Sequence, residues 1–150
     1  MQRKDNHLIT LSAREFRPQI TGILDRLAQE DKALLYESQG RATFVLVRTP
    51  PIFSLPDKAR LMQRAADHYY AAFGLHSNWL PSQPPPEIPL NDLRRKIGRV
   101  QQELNYALQP HLLTRYWDVV GIVAPIPASA GLEEIRLFAS LMMAEAPEYA

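Results

Sequence analysis

Apolar residues follow two different periods in the first fifty positions, which predicts a helix and strands within a short stretch. Ile20 and Leu27 belong to a run with helical spacing, so we predict an amphipathic helix that buries one face. Residues 33–37 and 42–47 are rich in strand-forming side chains and lie on either side of Gly40. This pattern predicts a two-stranded hairpin. A unit of this size buries little apolar surface by itself, so we expect it to dimerise.

Capping signals indicate where the first helix begins. Ser12 and Glu15 have the spacing of a capping box, in which each side chain bonds a backbone N–H at the start of a helix. Pro18 lies beyond the first turn of that helix. Because proline there removes a backbone hydrogen bond, we expect a kink.

A set of residues with fixed spacing accompanies this order of strand, helix and hairpin: Ser12–Arg17, Ile20, Ile23–Leu27, Gly40, Arg41 and Val45–Val47. With these residues, the segment 8–50 resembles the N-terminal domain of the Phd/YefM family of antitoxins. The resemblance implies a homodimer that binds operator DNA and represses its own operon. It also implies a C-terminal region that neutralises a cognate toxin.

The resemblance places an arginine of the opening helix, here Arg17, on the operator. A guanidinium group can pair with guanine or hold a phosphate, and neighbouring basic residues can contact the backbone. The predicted DNA-binding residues are Arg3, Lys4, Arg14, Arg17 and Arg41. Glu37 departs from the family pattern and would repel phosphate if it faced DNA.

The rest of the chain predicts three helices and one strand. The helices cover residues 54–73, 91–108 and 132–144, and an apolar, β-branched run predicts the strand at 116–123. Prolines cluster between the first two of these helices, which predicts a semi-rigid linker at 75–90. No internal repeat is evident in the sequence.

The predicted fold class is α+β, a small antiparallel sheet with helices followed by a mainly helical C-terminal region. We assign 1–74 to a dimerising, DNA-binding domain, 75–90 to the linker and 91–150 to a partner-binding region. Toxin capture would lay apolar helix faces and an aromatic anchor against the partner. The predicted docking residues are Leu93, Ile97, Val100, Leu104, Trp117, Phe138 and Leu141.

Composition narrows the function further. The chain has 17 Lys and Arg against 16 Asp and Glu and contains no cysteine, which excludes disulfides and thiolate metal sites. No apolar run reaches the length of a membrane span, and no signal peptide is evident, so we expect a cytoplasmic protein. No catalytic motif, metal site or cofactor site is predicted, and we do not expect an enzyme.

One basic cluster, Arg94–Lys96 with Arg99, lies on a predicted helix and is interpreted as a solvated face.

Two interpretations of the function stay open at this point. The first functional interpretation is the antitoxin described above. The alternative is an interaction or assembly adaptor that keeps a Phd-like dimerisation domain and does not bind DNA.

Overall fold

A computed structural model describes residues 8–144. Six strands form one sheet with helices on both of its faces. The strands are β1 (Leu8–Ser12), β2 (Ala33–Ser38), β3 (Arg41–Ile52), β4 (Glu87–Pro89), β5 (His111–Arg115) and β6 (Asp118–Pro125). The helices are α1 (Ala13–Phe16), α2 (Ile20–Glu30), α3 (Leu55–Phe73), α4 (Leu90–Arg95), α5 (Ile97–Ala107) and α6 (Leu132–Ala144).

The sheet is mixed, and its strand order is β1-β2-β3-β6-β5-β4. The two outer pairs, β1–β2 and β4–β5, are parallel, and the three inner pairs are antiparallel. The predicted fold class, a small antiparallel sheet followed by a mainly helical region, is therefore wrong. The second half of the chain supplies three of the six strands. One of them, β4, lies inside the segment 75–90 that was predicted as a linker, so the sheet continues across the predicted domain divisions.

Several predicted elements agree with the structure. The predicted helix 54–73 corresponds to α3, which Ser54 caps and which Gly74 ends in the left-handed conformation. The last predicted helix coincides with α6. The predicted helix 91–108 is broken at Lys96, and the predicted strand 116–123 lies two residues further along the chain, at β6. Within residues 8–144, no helix combines the length and hydropathy that a membrane crossing requires.

The order of elements repeats, which the sequence analysis did not reveal. A first unit, β1 to α3 (8–73), and a second unit, β4 to α6 (87–144), each run strand, broken helix, strand, strand, helix. Matching positions differ by a constant 77 residues, as in 123 minus 46 for Leu46 and Val123. The same offset relates the first residues of α3 and α6, and the left-handed residues that end α2 and α5, Asp31 and Leu108.

The hydrogen-bond register obeys the same offset. Each hairpin has one bulge, after Tyr36 in the first unit and after Leu113 in the second, at matching positions. Strands β3 and β6 pair with Leu46 opposite Val123, and these two residues are themselves a matching pair. The sheet therefore has an approximate two-fold axis through this pair, and the two units are related as the subunits of a symmetric dimer would be.

Two apolar layers lie on opposite faces of the sheet. One layer is covered by α3 and α6, and contains Tyr69 and Phe138. The other is covered by α1, α2, α4 and α5, and contains the central pair Leu46 and Val123. Alternation along the strands divides the side chains between the layers, and almost every strand core position is fully buried. The helix pairs α1–α2 and α4–α5 thus lie side by side on one face, around the two-fold axis.

Gly121 is required where the two units join. A Cβ atom at this position would lie 2.7 Å from the carbonyl oxygen of Val47 on the neighbouring strand. Such a contact is too short for a real Cβ atom. Neither atom could move aside, because one is a backbone oxygen and the other would be bonded directly to the backbone. The glycine therefore permits the close approach of β6 to β3.

We predict that Gly121→Ala destabilises the protein by about 1–3 kcal/mol, because the new methyl group forces the central strands apart. Urea unfolding followed by circular dichroism measures this change. Gly22→Ala in α2 is the matched control, since nothing lies within 4 Å of a Cβ there, and it should leave stability equal or raise it by about 1 kcal/mol. Equal stability of the two variants would contradict the proposed role of Gly121.

Candidate nucleic-acid interface

The opening helix is short and broken, as Pro18 predicted. Ser12 caps α1, with its Oγ accepting from the Glu15 backbone N–H at 3.2 Å, while its own N–H donates to Oε1 of Glu15 at 2.9 Å. The predicted capping box is therefore confirmed. A 3₁₀ turn containing Pro18 separates α1 from α2, because proline cannot donate the hydrogen bond that would continue the α-helix.

Aromatic packing fixes this helix against the sheet. Phe16 is buried and meets the ring of Tyr36 edge-on at 5.2 Å between centroids, and Phe44 stacks on Tyr36 at 4.6 Å. Such ring pairs add to the free energy gained by burial. Since Phe16 points into the core, the next residue, Arg17, points outward, and its side chain is exposed.

The second unit reproduces this arrangement with other residues. Leu93 matches Phe16 and is fully buried. The break between α4 and α5 falls at Lys96, whose φ of −135° is not helical, and this residue matches Gln19 at the end of the first unit's 3₁₀ turn. Arg94 matches Arg17 and is exposed in the same way.

The two matching arginines line one narrow surface cleft of about 10 Å³. The cleft lies between the helix pairs, and its lining residues are Ala13, Phe16, Arg17, Ile20, Tyr36, Leu93, Arg94 and Ile97. Three pairs in this set, Phe16 with Leu93, Arg17 with Arg94 and Ile20 with Ile97, obey the repeat offset. The cleft therefore straddles the approximate two-fold axis and presents one arginine from each unit. We call it the arginine cleft.

The charged side chains that line the cleft are the two arginines. Among residues 8–144, no ion pair joins Arg17 or Arg94 to a carboxylate. Burial raises the pKa of the Tyr36 phenol, and this rise is opposed by a hydrogen bond with Gln101 and by the charge of Arg17. Gln101 belongs to α5, so the Tyr36 phenol lies where the two units meet.

Each hairpin turn lies against the helix of the other unit. Arg41, at the first turn, shares a cleft with Gln101 and Asn105 of α5. At the second turn, Arg115 shares a cleft with Thr21 of α2 and with Arg94. The two hairpins therefore bring further guanidinium groups to the edges of the helical face that carries the arginine cleft.

The predicted DNA-binding residues fall into two groups. Arg3 and Lys4 lie outside the described residues. Arg14, Arg17 and Arg41 are exposed, as a nucleic-acid contact requires. Sequence reasoning missed Arg94 as a site residue and interpreted its cluster as a solvated face. The constant offset between the units was the signal that could have found it, because it relates Arg94 to Arg17.

The predicted docking residues lie mainly in the interior. Leu93, Val100 and Leu104 pack on the sheet beneath α4 and α5, and Phe138 packs beneath α6. Ile97 and Leu141 are half-buried. The apolar helix faces that were predicted to bind a partner are thus covered by the protein's own sheet. Trp117 is 86% exposed, and a partner can reach it directly.

Glu37 and the histidines complete the set of residues with candidate chemistry. Glu37 is half-buried near the end of β2, and Thr114 matches it in the second unit. His111 is buried and bonds the carbonyl oxygen of Gln109 at 3.0 Å, and burial lowers its pKa. In the part of the chain that the structure describes, no three His, Asp or Glu side chains form a group that could hold a metal ion.

Comparisons with known proteins identify no relative: no family model, no curated protein and no solved structure matches the chain. The resemblance of residues 8–50 to the Phd/YefM antitoxins therefore stays a prediction. The geometry of the arginine cleft is described from this chain alone.

We predict that Ser12→Ala lowers the free energy of unfolding by about 1 kcal/mol, because it removes the acceptor that caps α1. Ser12→Thr is the matched control, since threonine keeps the hydroxyl and should retain most of the stability. Thermal and urea unfolding measure both changes. If alanine and threonine gave equal stability at this position, the capping box would contribute nothing to the free energy of unfolding.

Proposed function

We propose that the protein binds duplex DNA through the helical face that carries the arginine cleft. The observation that supports this proposal most strongly is the pair Arg17 and Arg94, exposed at matching positions on either side of a two-fold axis. Duplex DNA has local two-fold symmetry, and proteins with matching symmetry place equivalent groups on its two half-sites. Arginine supplies both phosphate contacts and bidentate contacts to guanine.

Local charge favours the same face. The whole chain has a formal net charge of only +1, so the attraction for DNA has to come from a patch. Arg95, Lys96 and Arg99 are exposed beside Arg94, and Arg14 is exposed beside Arg17. These basic groups outnumber the carboxylates on the same helices, Glu15, Asp92 and Glu103, and release of counterions from DNA would supply much of the binding free energy.

Operator binding and repression of its own operon form part of this proposal, as the resemblance implies, and we place the protein in the cytoplasm accordingly. Neutralisation of a cognate toxin stays a prediction. Most of the apolar surface that was predicted to bind the toxin is buried in the protein's own core. Trp117 remains the predicted docking residue that a partner can reach without unfolding the sheet.

The alternative function is an adaptor that does not bind DNA. Glu37 motivates it, since a carboxylate near the duplex would repel phosphate. The two functions differ in one measurable property: a DNA-binding protein retards the duplex upstream of its own coding sequence in a salt-dependent manner. An adaptor leaves that duplex free even at low salt.

We predict that Arg17→Ala and Arg94→Ala each weaken binding to this upstream duplex by about 5- to 150-fold, the range for loss of one good arginine contact. The double variant should bind no better than the wild type binds unrelated DNA. Fluorescence anisotropy at several salt concentrations measures the affinities, and the salt dependence should decrease in each variant.

Arg60→Ala is the control for charge alone. Arg60 is exposed on α3, on the opposite face of the sheet, where it pairs with Asp57. The Arg60→Ala variant loses the same charge as the other two variants. Its affinity for the duplex should stay within about two-fold of the wild type, because Arg60 lies far from the proposed duplex and its charge is screened. If all three variants lost affinity equally, the attraction would be unspecific and the assignment of the cleft would be wrong. If the wild type bound no DNA at low salt, the adaptor would be favoured.

A further inference from the structure

The two units have matching backbones, yet the residues around the arginine cleft differ between them. Arg17 and Arg94 match, but the residues that follow them do not: the second unit has Arg95, Lys96 and Arg99 where the first has Pro18, Gln19 and Gly22. The first unit in turn has Arg14 where the second has Asn91, and Arg41 where the second has Asp118. The helical part of the face is therefore more positive in the second unit. The two turns have equal net charge but carry it at different positions, with Glu37 and Arg41 in the first and Arg115 and Asp118 in the second.

The two halves of this face stay unequal, because a second copy of the chain cannot replace either unit at the same surface. In a homodimer built from one such unit, both halves would carry identical side chains. Here β3 pairs with β6 of the same chain at Phe44–Arg48 and again at Ile52. The edge of β3, at which the first unit of a second chain would pair, is therefore already occupied. The reason for expecting dimerisation, the small size of the first unit, is thus met within one chain.

We propose that one chain recognises one asymmetric duplex site in a fixed orientation, with the first unit on one half-site and the second unit on the other. This inference rests on the proposed DNA-binding function and deepens it. Arg17 and Arg94 make equivalent contacts near the centre of the site. The unequal flanking residues read unequal half-sites, so an inverted-repeat sequence is not the preferred target.

DNA cleavage by a group attached at each of two matching positions tests this inference. Asp25 and Gln102 are related by the repeat offset and are exposed on α2 and α5. The chain contains no cysteine, so Asp25→Cys and Gln102→Cys each create a single attachment point for an iron–EDTA group that cleaves nearby DNA. Both residues lie outside the arginine cleft, so we expect both variants to keep the affinity of the wild type.

The experiment uses full-length protein and a duplex from the region directly upstream of its coding sequence, trimmed to the footprint of the protein. Sedimentation of the complex should give one chain per duplex. The Asp25→Cys conjugate should cleave one end of the site and the Gln102→Cys conjugate the other end. Replacing one half-site with the reverse complement of the other, so that the site becomes an inverted repeat, should weaken binding by about ten-fold, the cost of one or two wrong base contacts.

Four results would separate failure of this inference from failure of the proposed function. Two chains per duplex, or cleavage of both ends by each conjugate with equal intensity, would overturn the inference while leaving DNA binding in place. Equal or tighter binding to the inverted repeat would overturn it as well. A wild-type chain that retards no duplex at low salt would overturn the proposed function and this inference together.

Discussion

The antiparallel pairing of β3 with β6 is the interaction on which the rest of the structure depends. It joins the two units in the middle of the sheet, and it places Leu46 opposite Val123 at the approximate two-fold axis. A first unit alone would expose the whole edge of β3, and an unpaired edge strand is prone to aggregation. The pairing removes that edge and buries the apolar faces of both units in two shared layers. Gly121 is the residue that allows the strands to approach closely enough.

This pairing also determines what the surface can do. Because β3 and β6 run antiparallel with a symmetric register, the broken helices of the two units lie beside each other on one face. The breaks have different local causes, the proline ring of Pro18 in the first unit and the non-helical backbone of Lys96 in the second. Their result is the same: a short helix whose apolar residue enters the core and whose next residue, an arginine, stays in solvent. Backbone symmetry thus converts one local motif into a paired site.

The first unit could be predicted from sequence because its signals are local. The capping box at Ser12, the turn at Gly40 and the caps of α3 each act through neighbouring residues. The second unit could be predicted only in part. Helix α6 and, within two residues, β6 were predicted, but β4 follows three consecutive prolines, Pro84–Pro86, and β5 is a short run behind Pro110. The apolar face of α5, with Val100 and Leu104, was predicted correctly. Its partner is the sheet of the same chain, and helix periodicity does not identify a partner.

The repeat escaped notice for a related reason. A core position requires an apolar side chain of suitable volume and no particular one, so Phe16 is matched by Leu93, and Tyr36 by Leu113. Identity survives at few matching positions, among them the buried Leu27 and Leu104. Spacing therefore carries the repeat, and spacing became visible only when the register of the sheet was known.

Arg17 and Arg94 differ from the other matching residues, because packing does not explain why the same residue stands at both positions. The buried pairs are alike because both units pack helices on the same sheet, and packing alone accounts for them. Arg17 and Arg94 are exposed, and no carboxylate within residues 8–144 forms an ion pair with either. Between the described parts of the two units, they are the matching pair in which both members are the same charged residue. Core stability does not require a guanidinium group on both sides of the axis, whereas a ligand that has two-fold symmetry and negative charge does.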